Sequence, residues 1–279
     1  FKSVYPLKNI AELKPQHIFN QWVIYEFQNL YKVVQQNYKN YYFHEVANHL
    51  YHFTWHTFCD WYIELSKNLL DSNDFKDETK YTFHIVFNSL LQLLHPVIPF
   101  ITEKLWSLNN KNILMTHQWS YNDLIIDHSS VDKANDFIDF IEEYRSFEKL
   151  FDIKKDDEVL IFSNNSNLQN LLTQNKDVLE FLTRKKLSLN PLSKGITLPF
   201  KKYDFVLETN QIDKLKIQNK LSDNQKKLQK EKEGIDKNLS NSNFTERAPK
   251  ELIDQNQKRQ LSINLELSKI ESILKTLNG

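Results

Sequence analysis

The spacing of hydrophobic positions changes twice along the chain. Ile18, Trp22, Tyr25, Leu30 and Val33 recur at helical spacing and predict one amphipathic helix. A second helix is predicted from about Phe43 to Leu69, and a third from about Lys80 to Leu108. Short polar links such as Asp71-Ser72-Asn73-Asp74 fold helices of this length back on one another, which predicts an antiparallel bundle. In the third helix, His95-Pro96-Val97-Ile98-Pro99 carries two prolines. Each lacks an amide donor and clashes with the preceding turn, so a break near His95 is expected.

Residues 131–151 keep a helical rhythm, with Phe137, Ile141, Tyr144 and Phe147 on one face. Val159 and Ile161 then alternate as a short strand, and two short helical stretches end near Lys186. Beyond Pro191, strand pieces are expected around Ile196–Pro199 and Tyr203–Leu207, which makes this region a small α/β module. In the last region Leu221, Leu228 and Ile235 are spaced by seven, and Leu239 continues the stripe. After a break over 241–249, Ile263, Leu267, Ile270, Leu274 and Leu277 step by fours and threes, as the seam of a coiled coil does. Pro249 suits the first turn of the second helix. Two helices of ~30 residues give a hairpin roughly 45 Å long. The expected fold class is mainly α: an antiparallel helical bundle, a small α/β junction module and a C-terminal antiparallel two-helix coiled coil.

Composition sharpens these boundaries. All five Trp and all nine His fall within 1–128, where 10 basic face 12 acidic residues. Residues 211–279 carry 14 basic and 10 acidic residues, a net of +4, with no Trp or Tyr. The expected units are therefore 1–128, 129–209 and 210–279. Over the 279 residues, 36 Lys+Arg balance 36 Asp+Glu. The three glycines, Gly195, Gly234 and Gly279, exclude a Gly-rich phosphate loop, which needs several glycines close together. The single Cys59 excludes a disulfide framework and a Cys-cluster zinc site, and fits a reducing compartment. No apolar run approaches a membrane span, and no signal peptide is expected. A chain beginning at Phe1 is expected to be a processed or truncated piece.

Candidate chemistry is sparse. His52, His56 and Cys59 share one helix face and are types that bind zinc, yet no HExxH and no fourth ligand accompany them. Packing among Trp55, Phe58 and Trp61 is the expected reading. Asp60 and Glu64, four apart, resemble an acid–base pair but lack a nucleophile; Cys59 beside Asp60 is expected to be a packed, inert thiol. The aromatic density over Tyr51–Tyr62 reads either as core or as stacking surface for bases. The last helices read either as a protein-interaction or dimerisation arm or, from their excess of positive charge, as a nucleic-acid contact.

Particular strings carry a resemblance. Phe43-His44-Glu45-Val46-Ala47-Asn48-His49-Leu50-Tyr51 leads into Trp55-His56-Thr57-Phe58-Cys59-Asp60-Trp61-Tyr62-Ile63-Glu64-Leu65. Farther on come His95-Pro96-Val97-Ile98-Pro99-Phe100-Ile101-Thr102-Glu103 and Asn243-Phe244-Thr245-Glu246-Arg247-Ala248-Pro249. In this order they resemble the C-terminal part of valyl-tRNA synthetases: anticodon-binding bundle, junction and coiled-coil arm. The family's His-Ile-Gly-His and Lys-Met-Ser-Lys-Ser signatures, which serve ATP, do not occur here. Nor is there room for the editing domain, and the family's first bundle helix lies upstream of what this chain resembles. The resemblance therefore implies the tRNA-binding portion of a cytoplasmic, monomeric ligase for valine and tRNA(Val). It implies no cofactor in this chain, with ATP and Mg in the absent catalytic domain, and the absent catalytic and editing domains as partners. A non-catalytic coiled-coil scaffold is the alternative.

The resemblance also implies site residues. Ile63 and Glu64 match the aliphatic–Glu pair laid against the anticodon. A carboxylate there accepts from the exocyclic amine of cytosine, and an aliphatic side chain packs on a splayed base. The competing reading of Glu64 is an ordinary solvated helix residue. Arg259 matches a basic residue at the tRNA outer corner, Arg247 is a phosphate contact, and Phe244 staples the hairpin tip. Gly234, Gln21 and Glu26 stand where the family often has Arg, which predicts weaker attraction. Lys226, Lys227, Lys230 and Lys237 are the candidates to compensate.

Overall fold

The apolar stripe that opens the chain forms α1, Ile18–Lys39. Its N-cap is His17, whose Nδ1 accepts from the Phe19 amide at 3.3 Å. Burial lowers the His17 pKa to about 4 against the pull of the Glu78 carboxylate, so the ring stays neutral and keeps the lone pair that the cap uses. The structure is a computed structural model. It describes residues 15–117, 124–151, 159–161, 166–185, 187–188, 196–200, 203–207, 214–241, 248 and 250–278.

The second predicted helix runs continuously over 43–71 but is not α throughout. It comprises α2 (Phe43–His52), a π-helical segment (Phe53–Tyr62) and α3 (Ile63–Asp71). Its buried side is Val46, Leu50, Phe53, Phe58, Tyr62, Leu65 and Leu69. The five-residue step from Phe53 to Phe58 matches the wider turn of i→i+5 bonding, which keeps both rings on the core side. Helix α4 (Lys76–Leu94) and helix α5 (Pro99–Trp106) are separated at the His95–Ile98 break that the prolines require. Pro99 opens α5, where its missing amide costs no helix bond.

A buried polar network joins three of these helices. The Tyr62 hydroxyl donates to Asn20 Oδ1 at 2.9 Å. Asn20 Nδ2 lies 2.7 Å from Glu78 Oε1 and 3.1 Å from Thr79 Oγ1. The Glu78 carboxylate also accepts from the Gln16 and His17 amides at 2.9 and 3.0 Å. Burial and the Glu78 charge push the Tyr62 hydroxyl well above its ordinary pKa, so it remains a donor.

Helix α6, His128–Phe151, carries the predicted face: Phe137, Ile141, Tyr144 and Phe147 are all buried. Trp22 Nε1 donates to Asn135 Oδ1 at 2.9 Å, and Phe19 meets Phe137 at 5.1 Å between ring centroids. The chain divides into two compact units, 1–138 and 139–279, with the division inside α6.

In the second unit, β1 (Val159–Ile161), α7 (Ser166–Gln174), α8 (Lys176–Thr183) and β2 (Leu187–Ser188) form a β-α-α-β crossover, with β1 and β2 parallel. β3 (Ile196–Phe200) and β4 (Tyr203–Leu207) pair antiparallel, and the sheet order is β2-β1-β4-β3. β1, β3, β4 and both short helices lie where the sequence put them, whereas the two-residue β2 was not expected. Tyr203 is buried and meets Phe140 edge-on at 5.1 Å.

The arm is α9 (Lys214–Ser240) packed on α10 (Lys250–Asn278). Leu221, Leu228 and Ile235 are buried as their spacing predicts, and Ile263, Ile270 and Leu277 face them as the buried stripe of α10. Between the last two, Ile273 is buried, whereas Leu274 is only half-buried. Helix α10 also packs on β3, so it buries more than a single coiled-coil seam.

Candidate nucleic-acid interface

The long helix 43–71 turns its Phe53–Phe58–Tyr62 side inward, which leaves the opposite side to solvent. That exposed side carries Tyr51, His52, Trp55, His56 and Asp60, and Trp55 is 55% exposed. His52 and His56 stack at 5.5 Å, and Tyr51 meets both rings edge-on at 5.7 and 6.2 Å. His56 Nδ1 lies 3.3 Å from Asp60 Oδ2. The aromatic density that read two ways in the sequence is thus split by the π segment into a buried set and an exposed set. Helical spacing alone does not show which side faces out, so the sequence left both readings open. The five-residue step at Phe53–Phe58 was the available signal.

Ile63 and Glu64 stand just beyond, in the first turn of α3, both half-exposed. Lys67 Nζ pairs with Glu64 Oε1 at 2.5 Å. The Glu64 carboxylate is thus held in a partly exposed ion pair on its own helix. Asp60 and Glu64 are engaged by different residues, so the acid–base pairing between them does not form. Cys59 is half-buried, and its pKa is raised by burial and by Asp60, which makes a poor nucleophile. Among the described residues no group of three or more His, Cys, Asp or Glu is placed to hold a metal.

On the arm, Arg259 is engaged within the hairpin. Its Nε and Nη2 reach the two Glu231 oxygens at 2.8 and 3.0 Å, and Nη1 reaches Glu266 Oε1 at 3.1 Å. This fork ties α10 to α9. The Glu231 hydrogen bond raises the Arg259 pKa, and the same bond lowers that of Glu231. Lys226, Lys227, Lys230 and Lys237 are all exposed along α9. A Cβ at Gly234, where the resemblance leads one to expect arginine, would meet nothing within 4 Å. Phe244 and Arg247 lie outside the described residues. Gln21 is buried, with its Oε1 accepting from the Asp127 amide at 3.2 Å, so this position holds the bundle together rather than facing a ligand. Burial raises the Glu26 pKa.

The profile of the anticodon-binding domain of tRNA ligases matches residues 20–161. The chain belongs to this family. A second profile, the valyl tRNA synthetase tRNA binding arm, matches residues 212–278 of the same chain. The chain is 32% identical over 271 residues to the valine–tRNA ligase of Pelagibacter ubique, covering 92% of this chain and 31% of that protein. It is 30% identical over 279 residues to the valine–tRNA ligase of Mesoplasma florum, covering 93% and 32%. The corresponding figures for the Aquifex aeolicus enzyme are 25% over 293 residues, covering 97% and 25%. The chain thus spans about a third or less of the length of the curated relatives it matches. Within this family the helix 43–71 lies inside the anticodon-binding match, and both helices of the hairpin lie inside the arm match. The protein-scaffold alternative is not favoured by these matches. No helix among the described residues is long and apolar enough to cross a membrane.

Proposed function

We propose that this chain is the tRNA-gripping portion of a valine–tRNA ligase, acting on tRNA(Val) in the cytoplasm as part of a monomeric enzyme. The observation that carries it is the presence in one chain of both matched segments, 20–161 and 212–278. The head (1–128) holds the anticodon, the junction (129–209) links, and the arm (210–279) meets the tRNA outer corner. Glu64 accepts from the exocyclic amine of the anticodon cytosine, and Ile63 packs on a neighbouring base. Trp55 and Tyr51 offer stacking faces to unpaired loop bases, worth about 1–3 kcal/mol per stacked base. The exposed α9 lysines and Arg247 attract phosphates, with Phe244 at the tip. Arg259 holds the hairpin and presents the remaining face of its guanidinium to the corner. Attachment of valine, with ATP and Mg, belongs to the catalytic domain of the parent enzyme. This chain, with neither nucleotide signature nor a glycine-rich loop to fit those groups, supplies binding and orientation only.

A competition binding assay at low salt tests the reading, with valine and isoleucine tRNA transcripts against the whole chain. The valine transcript is expected to bind at least about tenfold tighter, the scale of one or two good base contacts. Glu64→Gln should narrow that preference. Equal affinity for both transcripts overturns the proposal.

A further inference from the structure

Arg259 on α10 is held more closely than a tie between two solvated helices requires. Every nitrogen of its guanidinium is engaged. Nε and Nη2 donate to the two Glu231 oxygens of α9 at 2.8 and 3.0 Å, and Nη1 donates to Glu266 Oε1 at 3.1 Å. Glu266 is itself steered, because the Ser262 hydroxyl donates to the same Oε1 at 3.0 Å. Guanidinium N–H groups lie in the plane of the group, so the two carboxylates grip Arg259 by its edges and set the direction of that plane.

The grip leaves the flat faces. Helices α9 and α10 contain no Phe, Tyr or Trp, so no ring of the hairpin helices covers them. The Arg259 side chain remains 41% exposed. Ion pairs this exposed contribute little to stability, and the Glu231 pair alone already links the two helices. What Glu266 and Ser262 add is orientation. A long side chain on a helix surface otherwise samples many rotamers, and ordering it beforehand removes that cost from binding.

The charges point the same way. One positive group between two negative ones leaves the cluster with an excess of one negative charge, which repels phosphate. A neutral, planar partner fits instead: the exposed face of a nucleobase, on which a guanidinium plane stacks. The exposed lysines elsewhere on α9 are the groups suited to phosphate.

We propose that Glu231 and Glu266 are positioning residues of the tRNA contact: they hold Arg259 by its edges so that its flat face, rather than its charge, meets an exposed base. This rests on the reading of the arm as a tRNA contact. The two acids strengthen binding to a polyanion although each carries the wrong sign for it.

Competition binding of valine tRNA to the whole chain, over a series of salt concentrations, tests this. Charge alone predicts that removing a carboxylate from a surface that meets RNA tightens binding, and positioning predicts the opposite. Glu231→Gln is expected to weaken binding about threefold, with the slope of log affinity against log salt unchanged. Arg259→Lys, which keeps the charge and loses the plane, is expected to weaken it roughly tenfold, as far as Arg259→Ala does. Glu231→Gln combined with Arg259→Ala should bind no more weakly than Arg259→Ala alone, because the carboxylate acts through the arginine. Tighter or unchanged binding by Glu231→Gln overturns the proposal. So does a loss in the combined variant equal to the product of the single losses, or an Arg259→Lys variant that binds as the unaltered chain does. Where far-UV dichroism shows that Glu231→Gln loosens the hairpin, Glu266→Gln carries the same expectation and the same overturning outcomes. Failure of the unaltered chain to bind valine tRNA removes the tRNA reading along with this role, whereas binding undiminished by Glu231→Gln removes this role alone.

Discussion

The bundle and the hairpin solve the same problem, holding long helices together, with opposite means. The bundle packs α1, the 43–71 helix and α4 around stacked aromatic rings and seals one end with the Asn20–Tyr62–Glu78 network. The hairpin buries a thin stripe of Leu and Ile, leaves α9 rich in exposed Lys, and adds one surface fork at Arg259. Specific, many-partnered contacts fix the helices that carry the exposed aromatic set, as the proposed base recognition requires. A thin seam with solvated charge suits a reach toward phosphates, where position matters less than sign.

The contrast breaks most visibly at Asn20. Asn20→Ala leaves the buried Tyr62 hydroxyl and the Glu78 carboxylate short of partners, at a cost of about 2–3 kcal/mol. Urea unfolding followed by aromatic fluorescence should show the bundle transition moving to lower urea while helix loss from the hairpin stays in place. A single shifted transition for the whole chain would show the two regions to be one cooperative unit.

Charge on the hairpin comes next. Replacing Lys226, Lys227, Lys230 and Lys237 with Gln should lower the slope of log affinity against log salt by up to about 3–4, with little change in base preference. Deleting 211–279 should weaken binding further and flatten that slope. Glu64→Gln should do the reverse, leaving the slope and losing preference.

Acid separates the regions in two windows. Burial depresses the folded pKa of His17 to about 4 from 6.5, so its neutral form stabilises the bundle. That contribution is complete above about pH 6.5 and is lost as pH falls toward about 4. The Glu231 carboxyl is held below its ordinary 4.5 by the hydrogen bond from Arg259, so the contribution of the fork is complete above that value and lost only as pH falls below it. Near-UV dichroism should therefore report loosening of the bundle at milder acid than the hairpin's change in helix signal. Arg259→Ala should remove the latter's dependence on Glu231. The smallest effect is expected at Gly234, where Ala has open space and should stabilise α9 by about 0.5–1 kcal/mol, raising the hairpin's thermal midpoint.

Most elements were legible because their apolar residues repeat with clean periods. The sevens at Leu221, Leu228 and Ile235, the two prolines after His95, and the alternation at Tyr203–Leu207 each report backbone geometry directly. The π segment was not legible as such, because an expectation of 3.6 residues per turn absorbs one five-residue step. The polar network escaped because Asn20, Tyr62 and Glu78 are far apart in sequence and unremarkable singly. Arg259 shows the limit of pattern matching in the site. Resemblance gives it to the RNA, and only coordinates reveal the two carboxylates that already claim it. Phe100 and Ile101 on α5 are exposed although apolar, which the helical spacing did not announce.

Hydroxyl-radical footprinting of valine tRNA bound to this chain tests the two-point grip most directly. The grip predicts backbone protection in two separated patches, the anticodon loop and the outer corner of the L, with the corner patch alone vanishing when 211–279 is deleted. Protection of a single patch, or loss of both on that deletion, contradicts it.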